Sequence, residues 1–460
     1  MIPARSQVSA LLKRLAAIPL PLFGRLQSPF VRRLLLISAI GVSLRLWALW
    51  AVPTQPVSDY WSYYQGALNL YRYGHYEAFV GIPNASHPPG YSILLALGFL
   101  VTGGVHTLAV AKLMNTGLSG LSIFFAALMA RDLWGDRAGL FAALLSALYP
   151  RYLLMVCILA SENLFTPLLL LFLFVSIRSS LSEYSPKGAA LGGVLVGLLA
   201  LTRTVAYSFG VIWLLSAVAG RKKLRSILLE GLLLVGVQHA VMLPWAVRNH
   251  FAMGRATFLT SSGGMGLFNG NNPNATGGWY DWREDLERVA PGIFTKSALE
   301  VDDAARRAAI VWMRQHPVEA ARLYVEKLRL IAVEDNTIAD WAVLGQKTSP
   351  PFPGIDVLPW PHYLKDHPRG FRAVLRVAAG VIAFLGGVGL VTLVARAVSS
   401  RLPVDWSVAV TLLAGTVYIP LFSAMIAVNG RYRWPAEDVS MVIAASLLAA
   451  SGRLRIKGSR

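Results

Sequence analysis

Apolar runs of membrane length, broken by short polar segments, dominate the chain. They fall at roughly 34–52, 106–130, 138–156, 160–178, 188–202, 204–220, 226–246, 371–395, 405–428 and 434–451. A helix rises about 1.5 Å per residue and a bilayer core is about 30 Å thick, so about 20 apolar residues suffice to cross. The pattern predicts an all-α polytopic membrane protein with about 10–11 transmembrane helices. One further run, Tyr91 to Val101, is too short to cross and is bounded by Pro88-Pro89 and Gly103-Gly104. It suits a buried or interfacial helix.

Two polar stretches interrupt the runs. In the first outer loop, 53–104, Ser58 and Gly74 are start and stop signals for a helix that carries Trp61, Tyr64, Leu68 and Tyr71 on one face. Such aromatics favour the headgroup region, because one end of the ring is polar. The second stretch, 249–370, reads as a small outer lid. Asn249 to Gly292 is rich in Gly, Asn and aromatics and reads as loops, whereas Asp302 to Ala332 has helical periodicity interrupted at His316-Pro317. The expected organisation is a cytoplasmic segment 1–33, an N-terminal transmembrane module 34–248, the lid 249–370, C-terminal helices 371–451 and a cytoplasmic tail 452–460.

Composition agrees with this reading. Hydrophobic residues make up 55% and charged residues 15%, too little charge to coat several soluble domains. The net charge of +19 sits in short clusters: Lys13, Arg14, Arg32 and Arg33, then Arg221, Lys222, Lys223 and Arg225, then Arg453, Arg455 and Lys457. Short basic loops mark the cytoplasmic face, so the charge encodes topology and gives no reason to expect a nucleic-acid partner. With the N-terminus inside, every basic loop falls on one side and 249–370 falls outside. The first run reads as an uncleaved signal anchor. The single cysteine, Cys157, excludes an internal disulfide and a cysteine-cluster metal site.

Candidate chemistry gathers on the outer face. Asp59 begins the first-loop helix, Glu162 lies in the outer turn Ser161-Glu162-Asn163, and Arg203 lies in another outer turn. Arg248 ends a span after Pro244-Trp245, and Arg431 and Arg433 flank Tyr432 before the last span. Moving a group from a lipid phosphate to a hydroxyl needs a base, cations for the departing phosphate and an apolar groove. Each residue has a plainer reading: Asp59 as a helix-start carboxylate, Glu162 as a cap or a partner of Arg203, the arginines as interfacial anchors, His87 as a loop hydrogen-bonder. Arg45, inside the first span, requires a partner or a water-filled cavity, because an unpaired charge there costs about 2.5–3.5 kcal/mol.

Taken together, the Asp59 loop with His87-Pro88-Pro89-Gly90, the Ser161-Glu162 turn, Pro244-Trp245-Ala246-Val247-Arg248-Asn249 and Arg431-Tyr432-Arg433-Trp434-Pro435 resemble the GT-C membrane glycosyltransferases. The similarity is to the branch with aminoarabinose transferases and protein O-mannosyltransferases (dolichyl-phosphate-mannose-protein mannosyltransferases). The resemblance implies an inverting transferase that moves a sugar from a polyprenyl-phosphate donor to a hydroxyl on an envelope lipid, glycan or protein. It would lie in the inner (plasma) membrane with its site facing the periplasm or exterior. Asp59 would match the catalytic base and Glu162 the second acidic position. Arg203, Arg248 and Arg431 would lie near the carrier phosphate, with Arg433 and Arg45 as further donor-binding candidates and Tyr60, Glu77 and His87 as loop contacts. Some relatives carry Glu-Lys before the loop proline, and that Glu helps hold a divalent cation. Ser86-His87 stands there in this chain, so no cofactor is assigned. The rival reading is a transporter or flippase of a lipid-linked sugar, which would favour polar residues at the bilayer midplane or two related halves.

Overall fold

A computed structural model describes residues 28–52, 54–56, 58–79, 82–83, 86–333 and 368–448. The expected N-terminal basic pair Lys13 and Arg14, the proline-rich return around Pro350 and Pro359, and the tail 452–460 lie outside the described residues. The chain is helical: α1 (Pro29–Ala51), α2 (Asp59–Tyr73), α3 (Gly90–Thr102), α4 (Thr107–Trp134), α5 (Asp136–Leu148), α6 (Pro150–Met155), α7 (Glu162–Ser180), α8 (Pro186–Thr202), α9 (Gly210–Ala219) and α10 (Leu224–Met253) come first. The lid follows with α11 (Gly263–Gly270), α12 (Arg283–Val289), α13 (Ala298–Gln315) and α14 (Pro317–Val333). The chain then returns through α15 (Pro368–Ser400), α16 (Pro403–Ser423) and α17 (Trp434–Ala445). A short antiparallel hairpin, β1 (Glu77–Phe79) and β2 (Ile82–Pro83), interrupts the first outer loop.

Among the described residues, α1, α4, α7, α10, α15 and α16 are long and apolar enough to cross a membrane. The other expected spans are built from shorter pieces. The run 138–156 is divided between α5 and α6 at Tyr149-Pro150, where proline offers no N–H to continue the ladder. The run 204–220 becomes a 3₁₀ turn, Thr204–Ser208, and α9; the last run begins as α17 and ends in a turn at Ser446–Leu448. Tyr91 to Val101 forms α3, 13 residues long and shorter than a bilayer core.

Small residues bring the helices close. A Cβ on Gly193 would lie 2.5 Å from the Leu234 carbonyl, and one on Gly197 would lie 2.8 Å from Val241 Cβ, so α8 meets α10 nearly backbone to backbone. Gly389 makes the same kind of approach to Ile443, seating α17 against α15. Large apolar side chains left outside, such as Leu228, Leu232 and Val235 on α10 and Val377, Phe384 and Val391 on α15, form the surface a bilayer would solvate. The basic turns at Arg131, Arg178, Arg221 and Arg401 lie at the end of the bundle opposite the lid.

The lid departs from the expectation in one respect. Asn249–Gly292 contains the helices α11 and α12, and α10 itself runs on to Met253. α13 starts with a capping box, Ser297 and Glu300 exchanging bonds, and the chain breaks at His316 before Pro317 opens α14. Phe268, Leu286, Val301, Ala305 and Ala309 make a core too small to hold the lid alone. Apolar contact of Ile331 with Ala424 and Val428, together with polar links, holds it to the bundle. Asn271 Nδ2 donates to the Met425 carbonyl at 2.8 Å, the Val428 N–H to the Gly277 carbonyl at 3.0 Å, and Ser262 Oγ to the Ser86 carbonyl at 2.7 Å. The lid therefore grips the two loops that carry Arg431 and His87.

Candidate active site

The site is assembled from five places in the chain. Asp59 is the first residue of α2, where the helix dipole favours a carboxylate. Ser58 occupies the cap position with φ 53° and no side-chain cap bond, a left-handed backbone a β-carbon disfavours. Gly74 ends α2 with φ 73°, as the sequence predicts. Glu162 opens α7, and Arg203 follows α8 in the turn against which Gly90 packs. A Cβ on Gly90 would come 2.7 Å from the Leu201 carbonyl, so the His87-Pro88-Pro89-Gly90 loop lies directly on the Arg203 turn. Arg431 belongs to the 3₁₀ turn Gly430–Arg433, capped by the Asn429 side chain.

These residues form one ionic cluster. Arg431 Nη2 donates to Asp59 Oδ2, and its Nε lies 3.8 Å from Glu162 Oε1. Arg203 Nη1 pairs with the same Glu162 oxygen at 2.5 Å. The other Asp59 oxygen, Oδ1, lies 3.6 Å from His87 Nε2. The carboxylates differ in access: the Glu162 side chain is 1% exposed and that of Asp59 is 30% exposed. Burial alone would raise the Asp59 carboxyl, but the Arg431 guanidinium and the His87 imidazole outweigh it and hold the group well below the usual carboxylate range. Aromatic walls line the cluster. Arg203 lies 5.5 Å from the Tyr432 ring centre, Tyr63 meets His87 edge-on at 5.2 Å, and burial pushes the Tyr63 hydroxyl up to about 12. Tyr60 is buried beside Arg431 and both carboxylates.

The remaining candidates stand elsewhere. Arg248 Nη2 donates to the Tyr76 carbonyl at the base of the hairpin, Glu77 is close enough to act on its charge, and the guanidinium lies 5.0 Å from the Trp245 ring centre. Arg433 ties lid to bundle, donating to the carbonyls of Ile331 at 2.7 Å and Ala332 at 3.2 Å and to Glu437 Oε1 at 3.0 Å. Arg45 is fully buried among helices. It donates to Ser119 Oγ at 2.6 Å and to the carbonyls of Gly41, Ala147 and Ser146 at 2.9 Å, the partners its position requires.

Sequence reading passed over a second buried network. Arg151, Glu437 and Asp438 lie in runs read simply as spans, yet Arg151 Nη1 lies 3.1 Å from Glu437 Oε1, Tyr149 donates to Glu437, and Ser146 donates to Asp438. Charges inside apolar runs are themselves the signal that would have found it. Lys112, on α4, was also missed; its Nζ donates to the Thr54 carbonyl at 2.7 Å and fixes the segment leading to Asp59. The chain therefore buries charge within the bundle as well as at the outer face.

The divalent cation that some relatives use does not fit these residues. Among the described residues no three acidic, His or Cys side chains converge as metal ligands, and Asp59 and Glu162 are both committed to guanidinium partners.

Residues 86–246 match the family model described as dolichyl-phosphate-mannose-protein mannosyltransferase. The archaeal oligosaccharyltransferase AglB from Archaeoglobus fulgidus, in complex with an inhibitory peptide and a dolichol-phosphate, superposes with a TM-score of 0.54 at 16% identity, over 92% of this chain and 50% of that one. The chain shares the helical fold of that oligosaccharyltransferase. The Archaeoglobus fulgidus oligosaccharyltransferase tethered to an acceptor peptide gives 0.55 at 14% identity, over 93% and 50%. The chain thus spans about half the length of these relatives. ArnT from Cupriavidus metallidurans bound to undecaprenyl phosphate gives 0.39 at 16% identity, over 90% and 77%. No curated protein sequence matches the chain.

Proposed function

We propose that this protein is a GT-C glycosyltransferase that moves a sugar from a polyprenyl-phosphate carrier to a hydroxyl on an envelope acceptor, on the extracytoplasmic face of the plasma membrane and with inversion at the anomeric carbon. The observation that carries the reading is the cluster itself: a partly open carboxylate, Asp59, paired with Arg431 and joined through Glu162 to a second guanidinium, Arg203, at the lid end of the bundle. Asp59 accepts the acceptor's proton as that oxygen attacks the anomeric carbon. Arg431 and Arg203 turn toward the departing phosphate, whose planar oxygen pairs suit a guanidinium fork. Glu162, buried under both arginines, fixes their spacing.

A groove of about 480 Å³ opens beside the Arg433–Glu437 pair, walled by Leu328 and Ile331 of the lid and Ile382, Ala383 and Pro420 of the bundle. It offers the prenyl chain an apolar bed at the lid–bundle junction. The test is mass spectrometry of surface lipids, glycans and carrier-linked sugars from cells with and without the gene. Loss of one sugar from one acceptor, with accumulation of its carrier-linked form, is the expected result. An unchanged acceptor with carrier-linked sugar trapped on the cytoplasmic side would instead establish the transporter reading.

A further inference from the structure

Asp59 is well oriented as a base and poorly suited to keep a proton. One oxygen is held by Arg431, and the arginine keeps the carboxylate strongly acidic. Its second oxygen faces the imidazole of His87, with Nε2 3.6 Å away. On the far side of the ring, Nδ1 lies 3.0 Å from Ser86 Oγ. Ser86 Oγ can accept the Nδ1 proton or donate to the bare nitrogen, so either ring nitrogen can carry the proton while Nε2 stays directed at Asp59. The gap exceeds the roughly 2.7–2.9 Å of a charge-assisted hydrogen bond, as befits a contact that closes when a proton arrives. The ring is also 22% exposed, so a proton placed on it can reach water.

The loop does not need the imidazole to hold its shape. Tyr76 contacts the His87 carbonyl at 3.4 Å, Ser262 holds the Ser86 carbonyl, and Gly90 packs on the end of α8. We propose that His87 is the positioning and proton-relay residue of this site, receiving through Asp59 the proton released by the acceptor hydroxyl. The inference rests on the reading of Asp59 as the base.

In the step, the acceptor O–H bond breaks as its oxygen bonds to the anomeric carbon, and the bond from that carbon to phosphate oxygen breaks with its electron pair leaving on phosphate. The proton goes to Asp59 Oδ1 and then to His87 Nε2, which restores the carboxylate beside an imidazolium. The imidazolium releases a proton to water. The charged and titratable groups around the ring are Asp59 and Tyr63 on α2 and Tyr76 before the hairpin, with Arg431, Glu162 and Arg203 behind Asp59.

The test uses outer-face-out membrane vesicles from deletion cells carrying each variant, in which native carrier-linked sugar and acceptor are both present, and follows release of polyprenyl phosphate. His87→Ala is expected to lower turnover by about 10²–10⁴-fold with little change in KM. Added imidazole should restore part of the rate in proportion to its concentration. His87→Gln, which keeps a polar side chain but takes no proton, should be equally slow; it carries the test if the alanine variant fails to fold. Turnover within twofold of wild type in either variant, or full recovery by glutamine, overturns the relay. If Asp59→Asn is inactive while His87→Ala is normal, the relay alone fails; if Asp59→Asn is active, the base assignment fails first.

Discussion

Glu162 offers the sharpest test of the cluster's energetics. Its side chain is 1% exposed, one oxygen lies 2.5 Å from Arg203 Nη1 and 3.8 Å from Arg431 Nε, and both guanidiniums are themselves mostly buried. Replacing the carboxylate in Glu162→Gln leaves two positive groups facing each other. Breaking a buried pair by removing one partner costs about 3–5 kcal/mol, chiefly through the charge left uncompensated. The lower end applies here, about 3 kcal/mol, because Arg431 keeps Asp59 and Arg203 retains 13% exposure and the faces of Phe165 and Tyr432. The assay is thermal unfolding of detergent-solubilised protein for Glu162→Gln, Arg203→Gln and the double variant. The double variant should be destabilised by less than the sum of the singles, since it leaves no unpaired charge between α7 and α8. A loss under about 1 kcal/mol for Glu162→Gln, or strict additivity, would refute the reasoning. The exposed pair Glu183–Lys223 provides a control whose loss should leave the melting temperature unchanged.

Three further outcomes are expected. Gly193→Ala places a Cβ against the Leu234 carbonyl and should cost about 1–3 kcal/mol in thermal unfolding, whereas Gly231→Ala, with 3.6 Å to its nearest neighbour, should be neutral or mildly stabilising. The folded Asp59 carboxyl is depressed, so the stability it contributes is fully present above its unfolded value of about 4 and is lost as pH falls through the lower folded value. The melting-temperature gap between wild type and Asp59→Asn should therefore stay level from pH 8 to 5 and shrink only below about pH 4; a gap already closed at pH 6 would contradict the Arg431 pairing. Chelators should leave turnover unchanged, because the arginines occupy both carboxylates; loss of activity restored by a divalent cation would refute that.

Much of the site was legible because its signals are local. A carboxylate after Ser58 with Gly74 fifteen residues on predicts α2, and Glu162 and Arg203 lie at the open ends of one helical hairpin, close enough for the sequence to suggest their pairing. The link from Arg431 to Asp59 spans 372 positions, and nothing local distinguishes Arg431 from Arg433. Packing separates them: the 3₁₀ turn sends Arg431 toward Asp59 and leaves Arg433 facing the carbonyl end of α14. Lid helix α11 escaped because its Gly-rich composition argues for a loop, and contact with α13 overrides that weak preference, while the two-turn α12 is short and lies within the same Gly- and Asn-rich stretch. The break at Pro150 lies inside an apolar run, where hydropathy registers length and ignores the missing N–H.

The central claim is that Asp59 is the base of a sugar transfer at the outer face. The most direct measurement is the rate of transfer from native carrier-linked sugar in outer-face-out vesicles containing wild type or Asp59→Asn, with membrane insertion and melting temperature checked on the same samples. The account predicts a rate at least about 10³-fold lower in a variant that remains folded and inserted. A rate within a few-fold of wild type would contradict it.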